Sequence, residues 1–127
     1  MSEKKPLILV VDDEQITTEL AKKFLESHGF EVACAFDGET ALELAHSESP
    51  DLILLDVMLP RMDGFEVCRR LKGEDRFKKV PILMFTAKGL SRDIKEGQEA
   101  GADDYLVKPF SGKALVETIR KHLRIED

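Results

Sequence analysis

Five short apolar runs, each closed by polar or turn-forming residues, alternate along the chain with segments whose apolar residues recur at helical spacing. The first, Leu7-Ile8-Leu9-Val10-Val11, stops at Asp12-Asp13-Glu14. A run of this length, rich in β-branched residues, predicts a strand. Ile16, Leu20 and Phe24, with Ala21 and Leu25, then fall at helical spacing until Gly29 ends the pattern. Phe30 to Phe36 alternates imperfectly as a second strand, and Asp37-Gly38 turns it into a helix carrying Ala41, Leu42, Leu44 and Ala45. The third run, Leu52-Ile53-Leu54-Leu55-Asp56, lies between Ser49-Pro50 and the turn signals Pro60 and Asp63-Gly64. So short and apolar a run fits a strand buried on both faces. A short helix follows with Phe65, Cys68 and Leu71 inward. Val80 to Thr86 reads as strand four, with Pro81 confined to its beginning. The helix predicted over roughly Ser91 to Ala100 is the thinnest. Leu90 and Ile94 are its only large apolar residues, and Gly97 interrupts it at a cost of about 1 kcal/mol relative to Ala, so weak docking is expected. Tyr105-Leu106-Val107 is strand five, ending at Lys108-Pro109, and the last helix carries Leu115, Ile119 and Leu123 on one face.

Strands alternating with helices imply an α/β domain, a parallel sheet covered on both faces with right-handed crossovers. The 127 residues, 43% of them hydrophobic, suit a single domain over 1–127 with its core at about 7–123. The pattern leaves strand order open, yet it brings the residues that follow each strand to one edge of the sheet. There stand Asp12 and Asp13 after strand one, Asp56 after strand three, Thr86 after strand four and Lys108 after strand five. An ionised carboxylate is costly inside a core, which places Asp56 where its strand emerges. Three acids in one crevice raise each other's pKa unless a cation is present. A hard divalent ion such as Mg²⁺ suits oxygen ligands of this kind, and a lysine and a hydroxyl suit phosphoryl oxygens. The set points to phosphate chemistry on a carboxylate, with Asp56 as the nucleophile that forms an acyl phosphate. Singly, each residue has a plainer use: Asp12 and Asp13 as first-turn helix acids, Asp56 as a strand-end or cap residue, Thr86 as an N-cap. Their convergence argues for a site. His28, His46 and His122 fall on helices or at helix ends, where packing or surface roles are expected.

The charge balance of 19 basic against 25 acidic residues, a net −6, disfavours non-specific attraction to nucleic acid or anionic membrane. The bases near the C-terminus, Arg120, Lys121 and Arg124, read as complements to a helix dipole. Cys34 and Cys68 have no metal-ligand spacing and read as core residues of a reduced, cytoplasmic protein. The five-residue apolar run near the N-terminus is too short for a signal peptide core or a membrane span.

Four motifs in order resemble the receiver domain of bacterial two-component response regulators, including the chemotaxis receivers. They are Ile8 to Glu14, Asp51 to Pro60 with Met62-Asp63-Gly64, Pro81-Ile82 through Thr86-Ala87, and Ala100 to Phe110. The resemblance covers Leu7 to about Leu123. It implies a flavodoxin-like, doubly wound (βα)₅ fold of sheet order 2-1-3-4-5. It also implies roles: Asp56 as phosphoacceptor; Asp13, Asp56 and the Met58 backbone carbonyl as direct Mg²⁺ ligands, with Mn²⁺ a substitute; Asp12 holding the ion mainly through water. Thr86, Ala87 and Lys108 correspond to the residues that bind the phosphoryl group, Pro109 to a cis proline and Tyr105 to the switch aromatic. The implied partners are a sensor histidine kinase or phosphotransfer protein as donor. A downstream protein, an output domain or a second copy would be met through the face of helix four, strand five and helix five. Met58 and Lys88 occupy positions that vary in the family and affect loss of the acyl phosphate; here they favour a phosphoform that is not short-lived.

A signalling switch, rather than an enzyme, is the expected function. An aspartyl-phosphate phosphatase or phosphotransferase is the alternative, but such enzymes use a second acid soon after the nucleophile, and two residues past Asp56 stands Met58. A flavin-binding protein of the same topology needs a Ser, Thr and Gly-rich loop after strand one, where this chain has Asp12-Asp13-Glu14. A free-standing receiver and a piece of a larger regulator both remain open at this level.

Overall fold

The computed structural model describes residues 5–86, 91–108 and 110–124. Five strands, β1 (Leu7–Val11), β2 (Glu31–Ala35), β3 (Leu52–Asp56), β4 (Ile82–Thr86) and β5 (Asp104–Val107), form one sheet in the order β2-β1-β3-β4-β5. All neighbouring pairs are parallel. The crossovers are α1 (Gln15–Ser27), α2 (Gly38–Glu48), α3 (Gly64–Lys72), α4 (Ser91–Ala100) and, after β5, α5 (Gly112–Leu123), with a 3₁₀ turn at Asp75–Phe77. This is the (βα)₅ arrangement, and the order 2-1-3-4-5, that the resemblance implied.

Strand residues alternate between two apolar layers because side chains leave a strand on opposite faces in turn. Leu9, Val11, Ile53, Leu55, Ile82 and Met84 pack under α2 and α3 against Ala41, Ala45, Phe65, Val67, Cys68 and Leu71. Ile8, Val10, Leu52, Leu54, Leu83 and Phe85 meet Leu25 of α1 and Leu115, Val116 and Ile119 of α5 on the other face. Polar caps fix three of the helix entries. Asp37 accepts from the Thr40 amide at 2.7 Å, Asp63 from the Glu66 amide at 3.0 Å and Ser111 from the Ala114 amide at 3.0 Å. Asp37-Gly38 and Asp63-Gly64, read from sequence as turns, are therefore helix starts.

Three expectations shift. Strand four begins at Ile82 rather than Val80, because Pro81 has no N–H to give and the Val80 amide is spent on the Phe77 carbonyl at 3.1 Å. In α1 the large residues Ile16 and Leu20 are 75% and 64% exposed, while Thr18 and Leu25 are fully buried. Both sets have helical spacing. The inward one includes a threonine that periodicity passes over, because its hydroxyl is satisfied within the helix, donating to the Gln15 carbonyl at 2.8 Å. Among the residues of α4 whose burial is described, the inward ones are half-buried Ile94 and buried Gly97 and Ala100. Gly97 is less an interruption than a point of close approach, since the Tyr105 ring lies against it. Leu90, also assigned to this helix from sequence, lies outside the described residues.

The rotated face of α1 is testable by urea unfolding: Leu25→Ala should cost about 2–5 kcal/mol as a buried truncation, and Leu20→Ala no more than about 0.5 kcal/mol.

Candidate functional site

The carboxyl ends of β1, β3, β4 and β5 stand side by side, so the sheet order alone brings Asp12, Asp13, Asp56, Thr86 and Lys108 to one edge. Carboxylate oxygens of Asp12, Asp13 and Asp56 all lie within 4.8 Å of one another. Asp12 is fully buried and Asp56 is 7% exposed, whereas Asp13 faces solvent. Lys108 reaches over both buried acids, its ammonium 3.1 Å from Asp12 Oδ2 and 3.2 Å from Asp56 Oδ2.

Backbone amides complete the cradle. The Glu14 amide donates to Asp12 Oδ1 at 3.0 Å and the Met58 amide to Asp56 Oδ1 at 3.1 Å, so each buried acid has one oxygen on an amide and the other on Lys108. Thr86 is buried as the last residue of β4, opposite Val107 in register, and its carbonyl accepts from the Lys108 amide at 2.7 Å. That bond ties the lysine's backbone to the adjacent strand end. The Met58 side chain is 74% exposed beside the acids. Ala87, Lys88 and Pro109, all given roles from sequence, lie outside the described residues.

Burial pushes the Asp56 carboxyl up from the usual carboxylate range to about 6, and the charge of Asp12 adds to this; the Met58 amide and Lys108 pull the other way. Burial also disfavours the Lys108 ammonium, but hydrogen bonding to Asp12 and the charges of Asp56 and Asp12 outweigh it and raise its pKa. Lys108 is therefore a permanent cation here. The three acids carry more negative charge than it can offset, and a cluster of hard oxygen donors with that surplus fits a divalent cation such as Mg²⁺.

Other sequence-predicted residues are placed elsewhere. The Tyr105 hydroxyl donates to the Ile94 carbonyl of α4 at 2.7 Å, away from the acids. His28 bonds the Phe24 carbonyl, His46 bonds Glu74 and His122 bonds Asp104, packing and surface roles of the kind expected of them. Burial pushes the Cys68 thiol up to about 11, consistent with a reduced core residue. Sequence reasoning missed Gly64. A Cβ there would run into the Asp56 carbonyl oxygen and stand 3.0 Å from both the Asp56 carbonyl carbon and Val57 Cα. The Gly64 amide donates to the Val57 carbonyl at 2.9 Å, so the start of α3 presses directly on the backbone that carries the phosphoacceptor candidate. Its signal in the sequence was Asp63-Gly64, legible as a turn but not as a brace.

A family model for the response regulator receiver domain matches residues 8–120. The DNA-binding dual master transcriptional regulator RpaA of Synechocystis is 43% identical over 122 residues, covering 96% of this chain and 51% of that protein. The chain thus spans about half the length of this curated relative. Among solved structures, the chemotaxis protein CheY4 of Vibrio cholerae is similar with a TM-score of 0.89 at 34% identity, over 93% of this chain and 98% of that one. The receiver domain of the sensor histidine kinase PA1611 from Pseudomonas aeruginosa, with a magnesium ion coordinated in its active-site cleft, gives 0.88 at 30% identity, over 95% and 99%.

A carboxyl whose folded pKa lies above its unfolded value destabilises the fold at high pH, and the penalty fades as pH falls through the folded value toward the unfolded one. Without divalent cations, Asp56→Asn should stabilise the protein at pH 7.5 by on the order of 2 kcal/mol. The gain should shrink by pH 4.5, as measured by urea unfolding at the two pH values.

Proposed function

The chain belongs to the response regulator receiver domain family of two-component systems, and from that membership we propose that it is a phosphoacceptor switch whose acceptor is Asp56. The observation that carries the reading is the Asp56 carboxylate itself. It is held at the end of β3 by one backbone amide and one ammonium, and its pKa of about 6 leaves it mostly ionised at neutral pH.

The donor is a phosphohistidine on a sensor kinase or phosphotransfer protein. An Asp56 oxygen attacks phosphorus in line; as the O–P bond forms, the donor's P–N bond breaks and its electron pair stays on the imidazole nitrogen. Lys108, already aimed at Asp56 Oδ2, is placed to follow the charge onto the phosphoryl oxygens. Thr86 supplies a hydroxyl and Ala87 a backbone amide to the same oxygens. Asp13, Asp56 and the Met58 carbonyl would hold Mg²⁺ directly, with Mn²⁺ as a substitute, and Asp12 would hold it through water. The bound ion supplies positive charge to the transferring group. Met58, whose side chain is exposed, and Lys88 would slow attack of water on the product, giving a phosphoform that is not short-lived.

Output follows from Tyr105, which lies on β5 with its ring and hydroxyl on α4. Its movement when Thr86 engages the phosphoryl group would alter the face of α4, β5 and α5, where a downstream protein, an output domain or a second copy binds. The fold and charge balance favour protein partners over direct nucleic-acid or membrane contact, and among the described residues no helix is long and apolar enough to cross a membrane. The phosphatase alternative lacks support at Met58, which offers no second acid beside Asp56.

Incubation with acetyl phosphate and Mg²⁺ should add one hydroxylamine-labile phosphoryl group, read by intact mass. The adduct should vanish in Asp56→Asn and on chelation of the metal; an adduct that persists in Asp56→Asn would sink the assignment. Tyr105→Ala should keep most of the phosphorylation while losing the phosphorylation-dependent partner or dimer contact, read by sedimentation or a binding assay.

A further inference from the structure

Gly97 is the seventh residue of the ten-residue α4, well inside the helix and before the terminating Gly101, whose φ is +100°. Glycine is among the poorest residues for a helix interior. It is not needed there for a turn, because the positive-φ glycines among the described residues are Gly29 and Gly101. What the position does require is space. A Cβ on Gly97 would stand 2.7 Å from Tyr105 Cε1, 2.8 Å from its Oη and 3.1 Å from Cζ, closer than side-chain atoms pack. The phenol therefore lies directly on the helix backbone, with its hydroxyl donating to the Ile94 carbonyl at 2.7 Å, one turn back on the same helix face.

We infer that Gly97 is a positioning residue: a seat that holds the Tyr105 ring on α4 and so sets how readily the α4 and β5 surface responds to a group bound at Asp56. The inference rests on the reading of Tyr105 as the switch. Tyr105 sits opposite Met84 in the β4 register, two residues before Thr86, and three residues before Lys108, so its backbone is tied to two strands that end at the acidic site. The ring has one well-made position on α4, and a Cβ at residue 97 removes that position without touching the acids. Weakening the seat raises the share of molecules with the ring elsewhere, and a ligand at Asp56 that favours the unseated ring then binds more tightly.

Tyr105 is the only tyrosine and the chain has no tryptophan, so its near-ultraviolet fluorescence reports this ring alone. The test uses four proteins: the parent, Gly97→Ala, Tyr105→Ala and the double variant. Alanine is the better helix former, so a purely local effect of Gly97→Ala would raise the melting temperature in both backgrounds. The seat predicts the reverse when the ring is present: Gly97→Ala lowers the melting temperature and changes the Tyr105 signal with no phosphoryl donor added, yet raises the melting temperature in the Tyr105→Ala background. An equal effect in both backgrounds, with unchanged fluorescence, would overturn the seat.

The link to Asp56 is read by equilibrium binding of beryllium trifluoride with Mg²⁺, a mimic of the phosphoryl group. Gly97→Ala should tighten it at least about fivefold, and only when Tyr105 is present. An affinity unchanged by Gly97→Ala, but altered by Tyr105→Ala, would overturn the link between seat and site. An affinity altered by neither would instead bring down the reading of Tyr105 as the switch.

Discussion

One ammonium serves two buried carboxylates. Lys108 lies 3.1 Å from Asp12 Oδ2 and 3.2 Å from Asp56 Oδ2, and its single charge cannot neutralise both, with Asp13 alongside. Removing charges from water costs several kcal/mol per ion unless pairing and hydrogen bonds repay it. The Glu14 and Met58 amides and the lysine recover part of that cost, and burial still holds the Asp56 pKa above the usual carboxylate range. This residual negative charge is an unstable arrangement for a bare protein and a favourable one for the divalent cation that the proposed phosphoacceptor role calls for. The apolar strands beneath it hold the acids close together.

The strands were largely legible in the chain. β1 and β3 coincide with the runs Leu7 to Val11 and Leu52 to Asp56 because strands buried on both faces are apolar up to the end that reaches the sheet's edge, a signal that depends on no neighbour. The acids and the lysine were legible for the same reason: each directly follows or ends such a run. Less legible were features that depend on how elements meet. Helical spacing cannot say which of two interleaved sets on α1 faces inward, and a buried Thr18 with a self-satisfied hydroxyl carries no hydrophobic mark. Gly64 and Gly97 look alike in a sequence, as a turn residue and a helix fault. Their use appears only when Asp56 and Tyr105 are seen lying where a methyl group would be.

Helix α4 shows how a thin apolar face can still be specific. Among the described residues Ile94, Gly97 and Ala100 offer little area to bury, so the helix is held by shape and by hydrogen bonds from the Tyr105 hydroxyl to the Ile94 carbonyl and from the Cys68 thiol to the Ala100 carbonyl. Little burial means a small free-energy difference between alternative positions, the condition under which a modest local event can redistribute a population. A stiffer, leucine-rich helix in the same place would bind the sheet better and respond less.

The sheet divides the interior into two compartments that, among the described residues, share no buried side chain, one under α1 and α5 and the other under α2 and α3 and reaching Ala100 of α4. Residues in separate packing groups contribute nearly independently to stability. The lineage can therefore drift beneath α1, gaining or losing robustness to temperature, without forcing compensating changes where Tyr105 meets α4. The packing beneath α1 and the contact of Tyr105 with α4 lie on opposite sides of the same sheet, and selection can adjust either one alone.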